Sequence, residues 1–238
     1  ERLSSGQNIK LLDIGFGLGY NAIAALCEAE RISGGRFLID SLEKDPRCVS
    51  LASNLFDENT FDFQVIKSVN ENGRWQGNHS EINLIYGDAR KTLKNLTGPY
   101  DMIFHDPFSP EVNPEMWTFD LFRKIRQILS RTGIFLTYSA TFPVRGALIR
   151  CGFNVGETPA FGRKNGGTCA SFSDTEISAP LKEKDYAIIT KSTAGVPYRD
   201  PGLKNTPEKI TSLRKAIVEK LRSRGIPKWL PLELMKTK

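Results

Sequence analysis

The apolar residues of this chain follow two different spacings. Short, nearly continuous apolar runs are typical of strands buried on both faces of a parallel sheet. The runs that we interpret as strands are Ile9–Ile14, Arg36–Leu42, Ile82–Tyr86, Tyr100–His105 and Gly133–Tyr138. Several of the stretches between them carry apolar residues at helical spacing. Strands that alternate with helices predict an α/β fold, in which helices cover both faces of a mostly parallel sheet.

Apolar residues at intervals of three and four, together with capping signals, predict the helices. These predicted helices are Tyr20–Arg31, Asp45–Leu55, Ala89–Leu96, Asn113–Leu129, Thr141–Cys151 and Thr206–Arg224. Residues 58–80 fit either a helix or a loop. Their Gly/Asn-rich end, from Asn70 to Ser80, predicts an exposed connection.

The end of the predicted sheet differs from its beginning. Phe153–Val155 and Asp185–Thr190 are predicted as the last two strands, and a Gly/Ser-rich region, residues 162–180, separates them without a helix. This arrangement predicts an antiparallel hairpin at the sheet edge. We therefore expect one domain over residues 1–195, followed by a basic linker and helix over residues 196–238.

Charge is distributed unevenly over the 238 residues. Residues 196–238 contain eleven Lys or Arg and four Asp or Glu, whereas the other 195 residues are close to neutral. A basic tail suits an anionic partner such as nucleic acid, although a solvated helix surface explains the charge as well. On that surface we expect Lys209, Arg214, Lys215, Lys220, Arg222 and Arg224. No apolar run approaches the length that spans a membrane, and the cysteines and histidines lack metal-ligand spacing.

A glycine-rich turn follows the first predicted strand. Gly15, Gly17 and Gly19 lie between that strand and the first helix, after Asp13. Glycines let a ligand approach the backbone closely, and the following helix N-terminus favours electron-rich groups. Glu43 ends the second strand, where a carboxylate can accept both hydroxyls of an adenosine ribose. The spacing therefore predicts a site for S-adenosylmethionine (SAM).

Asp88 follows the third predicted strand, in Gly87-Asp88-Ala89. A carboxylate there can accept the exocyclic amine of adenine, and it can also cap the next helix. Both roles are compatible, so Asp88 joins the predicted donor site.

The fourth predicted strand ends in an acidic, proline-rich turn that begins Asp106-Pro107-Phe108. Ligands of open α/β sheets bind at this carboxyl edge. An alkylamine is mostly protonated at neutral pH, so a carboxylate there can attract the ammonium form and help its proton leave. Phe108 could pack against a flat base or a cation. We therefore predict Asp106 as the catalytic residue of an amine methyltransferase and Phe108 as a substrate contact.

Three separated stretches resemble a known family, the methyltransferase domain of the bacterial enzymes that make 5-methylaminomethyl-2-thiouridine in tRNA. These stretches are the glycine loop from Asp13 to Asn21, the segment from Asp106 to Thr118 that contains NPEMWT, and several short motifs between Thr137 and Lys164. The resemblance implies a Rossmann-like class I SAM-dependent methyltransferase fold, SAM as cofactor and tRNA as substrate. It implies donor contacts from the loop with Asn21, Glu43 and Asp88, catalysis by Asp106, and substrate contacts from Arg163 and Lys164.

The same resemblance implies methylation of the aminomethyl group of 5-aminomethyl-(2-thio)uridine at the wobble position, in the cytoplasm. The chain carries no second dinucleotide loop, so it resembles the stand-alone type without the flavin-dependent oxidoreductase domain. It begins at Glu1 rather than Met, so we expect further sequence upstream.

Other interpretations stay open at this point. A SAM-dependent methyltransferase acting on another amine and an aminopropyltransferase using decarboxylated SAM share most of these features. An RNA-binding module with a vestigial nucleotide fold is a non-enzymatic alternative, against which the intact glycine loop, Glu43 and Asp106 argue.

Overall fold

The computed structural model describes residues 2–32, 34–160, 162 and 166–230. The chain folds into two compact units, Glu1–Asp106 with Ile128–Gly133 and Pro107–Gln127 with Ile134–Lys238. The strands are β1 (Ile9–Ile14), β2 (Phe37–Glu43), β3 (Arg74–Gln76), β4 (Ser80–Tyr86), β5 (Tyr100–His105), β6 (Leu129–Thr137), β7 (Asn154–Glu157) and β8 (Thr168–Ser171). The α-helices are α1 (Tyr20–Arg31), α2 (Pro46–Ala52), α3 (Phe61–Asn72), α4 (Ala89–Thr92), α5 (Phe119–Ile128), α6 (Phe142–Arg150), α7 (Glu183–Lys191) and α8 (Pro207–Arg222).

The strands form a sheet in the order β3-β4-β2-β1-β5-β6-β8-β7. Parallel pairs join β4 to β2, β2 to β1 and β1 to β5. The pairs β3–β4, β6–β8 and β7–β8 are antiparallel. The predicted α/β class, with a mostly parallel sheet and an antiparallel edge hairpin, is therefore confirmed.

The core of the first unit lies between its parallel strands and the helices α1 and α3. Leu11, Ile39 and Ile82, one from each of three adjacent strands, are fully buried. Leu26 of α1 and Ile66 of α3 belong to the same apolar cluster. Burial of these side chains stabilises the strands whose ends carry the candidate site.

Residues 58–80, which the sequence left open between helix and loop, are mainly α3. Thr60 caps this helix, because its side chain accepts a hydrogen bond from the Phe63 amide. The helix ends at Gly73 in the left-handed conformation. The segment from Asn70 to Ser80, predicted as an exposed connection, is mostly exposed but contains β3, which pairs antiparallel with β4.

The predicted helix Asn113–Leu129 is two helices in the structure. Pro114–Trp117 is one turn of 3-10 helix, and α5 follows after Thr118, which has an extended backbone. Thr118 also bridges to Tyr198 in the manner of a parallel strand pair. This tertiary contact interrupts an apolar pattern that is otherwise continuous.

The predicted strand Asp185–Thr190 was wrong, because this segment lies within α7. The partner of β7 in the hairpin is β8, inside the Gly/Ser-rich region. The run Ala187-Ile188-Ile189-Thr190 has a high strand propensity, yet burial of both isoleucines on a helix overrides that preference.

The C-terminal segment packs within the second unit through α8. Ile210 is fully buried there, and the Arg214 Nε donates to the Val196 carbonyl at 2.8 Å. The Arg214 guanidinium also lies 5.0 Å from the centre of the Tyr198 ring. Placing Arg214 on the helix surface was therefore wrong, whereas the other five predicted basic residues are exposed. The proposed boundary between residues 195 and 196 stays a prediction.

Candidate active site

Four acidic residues lie at the carboxyl edge of the first unit's parallel strands. The register pairs Asp13 with Ser41 and Glu43 with Tyr86, so these strands end at nearly the same level. Asp88 and Asp106 follow β4 and β5. The carboxyl edge of an open α/β sheet is where its ligands bind. The fold thus brings the predicted donor residues Asp13, Glu43 and Asp88 and the predicted catalytic Asp106 to one edge.

The glycine loop has a backbone conformation that favours glycine at three positions. Gly15, Gly17 and Gly19 all have positive φ angles, of 94°, 57° and 86°. A Cβ on Gly19 would lie 2.7 Å from the Ile66 side chain, so glycine there lets α1 pack closely. A Cβ on Gly17 would meet nothing nearer than 3.9 Å, so this side of the loop is open to a ligand.

The Glu43 carboxylate holds the glycine loop in place. Its Oε2 accepts a hydrogen bond from the Gly17 amide at 2.8 Å, while Oε1 accepts from the amides of Lys44 and Asp45 at 2.6 and 2.7 Å. Because a carboxylate offers about four acceptor positions, Oε2 keeps capacity for one further donor. Glu43 can therefore support the loop and bind one ribose hydroxyl without breaking these contacts.

Asp13 is buried beneath this loop. Its Oδ2 accepts from the Ser41 hydroxyl at 3.0 Å, while its buried Oδ1 has no hydrogen-bond partner among the described residues. Burial raises the pKa of Asp13 to about 7, a rise that Ser41 opposes and the nearby charges of Asp106 and Glu43 reinforce. Sequence reasoning missed Ser41, whose buried polar side chain in β2 is identified only by its contact with Asp13.

Asp106 is exposed at the end of β5 and is oriented by a side chain from α1. Its backbone amide donates to the Ile14 carbonyl at 2.9 Å, which continues the β1–β5 pairing. The Asn21 Nδ2 donates to Oδ2 of Asp106 at 2.7 Å. Asn21 therefore fixes the carboxylate at the same edge as the glycine loop.

Asp88 caps α4, as the sequence suggested for its structural role. It accepts from the Arg90 backbone amide at 3.0 Å and pairs with the Arg90 guanidinium at 2.7 Å. Burial raises the pKa of Asp88, but the hydrogen bonds from Arg90 outweigh this effect, and the pKa lies below its ordinary value. Asp88 is thus a charged carboxylate at neutral pH.

The turn after Asp106 belongs to the second unit, where two side chains brace its backbone. The Trp117 Nε1 donates to the Phe108 carbonyl at 2.8 Å, and the Tyr138 hydroxyl donates to the Pro107 carbonyl at 3.0 Å. The two rings meet edge to face at 5.7 Å. Phe108 itself is 73% exposed, so the bracing presents an aromatic ring to solvent. Trp117 itself is fully buried, and the sequence alone assigned no bracing role to Trp117 or Tyr138.

Arg163 and Lys164, the other predicted substrate contacts, lie outside the described residues. Among residues that are described nearby, Arg145 is buried and donates to Thr168, Glu157 and the Gly167 carbonyl. This network anchors the start of β8, which follows Arg163 and Lys164 along the chain. Across the described part of the chain, no cluster of His, Cys, Asp or Glu is suited to a metal ion, and no helix could cross a membrane.

The sequence profile of a family described as S-adenosyl-L-methionine-dependent methyltransferase matches residues 55–173, half of the chain. The chain belongs to this family, and SAM is its cofactor. The match includes Asp88, Asp106 and Phe108, whereas the glycine loop and Glu43 precede it.

Individual proteins are similar to a larger share of the chain. An uncharacterised protein of Methanocaldococcus jannaschii is 32% identical over 94% of this chain and 64% of its own length. The tRNA 5-methylaminomethyl-2-thiouridine biosynthesis bifunctional protein MnmC of Pseudomonas fluorescens is 32% identical over 68% of this chain and 26% of its own length. The crystal structure of MNMC2 from Aquifex aeolicus has a TM-score of 0.76 and 31% identity, covering 92% of this chain and 70% of that chain. The chain thus spans less than two thirds of the two curated relatives.

The residues at the sheet edge fit SAM by charge and by shape. SAM carries a sulfonium and an ammonium, and the acidic residues Asp13, Glu43 and Asp106 lie at the same edge of adjacent parallel strands. The open side of Gly17 leaves room for a ligand against the loop backbone. This donor set and open loop suit a cationic nucleoside.

Proposed function

We propose that this enzyme methylates the aminomethyl nitrogen of 5-aminomethyl-(2-thio)uridine at the wobble position of tRNA, giving 5-methylaminomethyl-(2-thio)uridine. The observation that carries the proposal is the exposed Asp106 carboxylate, held by Asn21 at the edge that bears the glycine loop. A carboxylate suits an amine substrate, and the similarity to MnmC proteins supports an amine on a tRNA uridine. Since tRNA is modified in the cytoplasm, the proposal includes a cytoplasmic enzyme.

We assign the donor site to the loop and the three strand ends around it. Gly15, Gly17 and Gly19 give the loop its open backbone, and the remaining acceptor position of Glu43 binds a ribose hydroxyl. Asp88 accepts from the adenine amine with the carboxylate that Arg90 keeps charged. Asp13 supports the donor site indirectly, because it is buried under the glycine loop that contacts SAM. When bound, SAM supplies a methyl group on a positively charged sulfur.

We assign substrate activation to Asp106. At neutral pH an alkylamine is mostly an ammonium, whose nitrogen has no lone pair with which to attack a methyl group. The Asp106 carboxylate attracts this cation and accepts its proton, which restores the lone pair. Asn21 aligns the carboxylate during this step, so that positioning rather than strong acid–base chemistry accounts for most of the rate enhancement.

We assign recognition of the nucleoside to the second unit. Phe108 offers an exposed ring on a braced backbone, a surface that suits stacking of an unpaired pyrimidine. Arg163 and Lys164 complete the proposal as phosphate contacts, which position a nucleic acid without reading its sequence.

The experiment uses tRNA from cells in which wobble uridines stop at the aminomethyl stage. The enzyme is incubated with methyl-labelled SAM and this tRNA, and with a matched tRNA that lacks the aminomethyl group. Transfer to the first tRNA alone supports the proposal. Transfer to both would contradict the proposed nucleoside, and labelling of neither, with SAM binding intact, would favour an amine outside tRNA.

A further inference from the structure

A cavity in the second unit lies beside the C-terminal helix and has no role in the proposed reaction. Its volume is about 310 Å³, at the lower end of the range for small-ligand sites. Six of the residues that line it carry the inference: Phe142, Thr193, Arg214, Arg222, Lys228 and Trp229. They come from α6, from the short turn after α7, and from α8 with the segment that follows it.

The polar lining of this cavity is strongly basic. Arg214, Arg222 and Lys228 contribute three positive charges, and no acidic residue is among the described lining residues. Within residues 2–32, 34–160, 162 and 166–230, none of the three cations forms an ion pair. Positive charges held this close repel one another, and an anion that binds between them lowers the electrostatic free energy.

Two of these cations are held in place by their Nε atoms. The Arg214 Nε donates to the Val196 carbonyl at 2.8 Å, and the Arg222 Nε donates to the Thr193 hydroxyl at 3.3 Å. Among the described residues, no acceptor is found for the terminal amino groups of either guanidinium, and these groups are the ones that bind a phosphate. Burial is the largest cause that lowers the pKa of Arg214, and the nearby charge of Arg222 lowers it further.

The apolar lining of the cavity is aromatic. Trp229 is 49% exposed although its indole packs against Phe142, with ring centres 5.6 Å apart and planes tilted by 66°. The exposed part of this indole lines the same cavity as the three cations. An aromatic face next to basic groups is the arrangement that binds a base and its phosphate together.

We propose that this cavity binds one unpaired nucleotide of the substrate tRNA, with its base on Trp229 and its phosphate among Arg214, Arg222 and Lys228. The inference rests on the proposed function for the identity of the RNA. An acidic peptide would satisfy the cations but would leave the indole without a stacking partner. The volume admits a single nucleotide rather than a duplex. This nucleotide is additional to the methylated uridine, which the proposed function assigns to Asp106 and Phe108.

The test measures binding of labelled, unmodified tRNA transcript, which does not depend on the methylation reaction. Trp229→Ala is expected to weaken binding by roughly 5- to 100-fold, the range for loss of one stacked base, whereas Trp229→Phe retains most of the affinity. Arg222→Gln should lower the slope of log affinity against log salt by about 1. Arg224→Gln is its matched control, because Arg224 is an exposed arginine two residues further along that does not line the cavity.

SAM affinity is measured for every variant, and an unchanged value shows that the fold and donor site are intact. The inference is wrong if Trp229→Ala and Arg222→Gln bind the transcript as tightly as their controls, or if the parent enzyme binds no tRNA. Methylation of aminomethyl tRNA is scored separately. If the cavity variants bind tRNA weakly but the parent does not methylate it, the cavity proposal stands and the proposed reaction is rejected. If the parent methylates tRNA but the cavity variants bind it as tightly as their controls, the proposed reaction stands and the cavity proposal is rejected.

Discussion

The proposed chemistry depends on Asp106, whose position combines exposure with a fixed orientation. The end of β5 sets its backbone, because its amide continues the pairing with β1. Asn21, on the helix that follows the glycine loop, sets its side chain. The sequence located Asp106 correctly at a strand end. It could not locate the Asn21 contact from the residues alone, because the two positions are 85 residues apart.

Replacing Asp106 with asparagine separates catalysis from donor binding. Asp106→Asn keeps the size of the side chain but removes the proton acceptor, so kcat for methyl transfer should fall by about 100-fold or more. The affinity for SAM, measured by calorimetry, should stay nearly unchanged. A variant with parental kcat would remove Asp106 from the reaction.

Asp13 should make the stability of the protein depend on pH. Its pKa is about 7 in the fold against 3.8 for the ordinary carboxyl, so the folded state binds more protons than the unfolded state between these values. Stability therefore decreases as the pH rises from about 4 to 7, because ionisation of the buried carboxyl is penalised, and it levels off above pH 7. The full decrease from this group is on the order of 4 kcal/mol.

Urea unfolding of Asp13→Asn across this pH range tests the argument. Asparagine resembles the neutral acid and cannot ionise, so its stability should change less between pH 4 and pH 7 than that of the parent. Asp57→Asn, at an exposed position, provides the control and should follow the parental curve. Parallel curves for Asp13→Asn and the parent would show that Asp13 does not titrate in this range.

At the scale of elements, β2 and the glycine loop act together. The carboxylate that ends β2 accepts hydrogen bonds from Gly17 and from its own following turn, so it organises the loop before any ligand binds. The sequence predicted a ribose contact for Glu43 from its place at a strand end. It did not predict the loop contacts, because they depend on how closely β1 and β2 are paired.

Glu43→Ala is therefore expected to weaken SAM binding by roughly 10- to 100-fold, through loss of charge-assisted hydrogen bonds to the loop and to the ligand. Isothermal calorimetry measures this effect. Glu28→Ala is a suitable control, since Glu28 is an exposed glutamate on α1 that forms a long surface ion pair with Arg31. Equal SAM affinity in Glu43→Ala and the control would show that this carboxylate does not support the donor site.

The elements that the sequence predicted well have either a clear apolar pattern or a clear capping signal. β1 and α1 were predicted with their observed bounds, and the Thr206-Pro207 start of α8 was correct. The failures have tertiary causes. Thr118 interrupts the helix predicted from Asn113 because it bridges to Tyr198, and α7 is helical despite a strand-like composition because the fold buries its isoleucines.

At the scale of the whole molecule, the charge distribution and the acidic sheet edge suit different partners. The acidic residues around the glycine loop suit a cationic donor, whereas the excess of basic residues after position 196 suits an RNA. One of these basic residues, Arg214 of α8, has a structural role within the second unit, because it contacts the Val196 carbonyl and the Tyr198 ring. A basic tail in the sequence could not show which of its cations would face a cavity and which would face solvent.

The most direct test of the central claim is nucleoside analysis of tRNA after reaction with the enzyme and SAM. The substrate is tRNA whose wobble uridine carries the aminomethyl group, and Asp106→Asn provides the inactive control. With the parent enzyme alone, we predict that 5-aminomethyl-(2-thio)uridine disappears and that its N-methylated product, 5-methylaminomethyl-(2-thio)uridine, replaces it. Methylation of any other nucleoside, or equal product with Asp106→Asn, would contradict it.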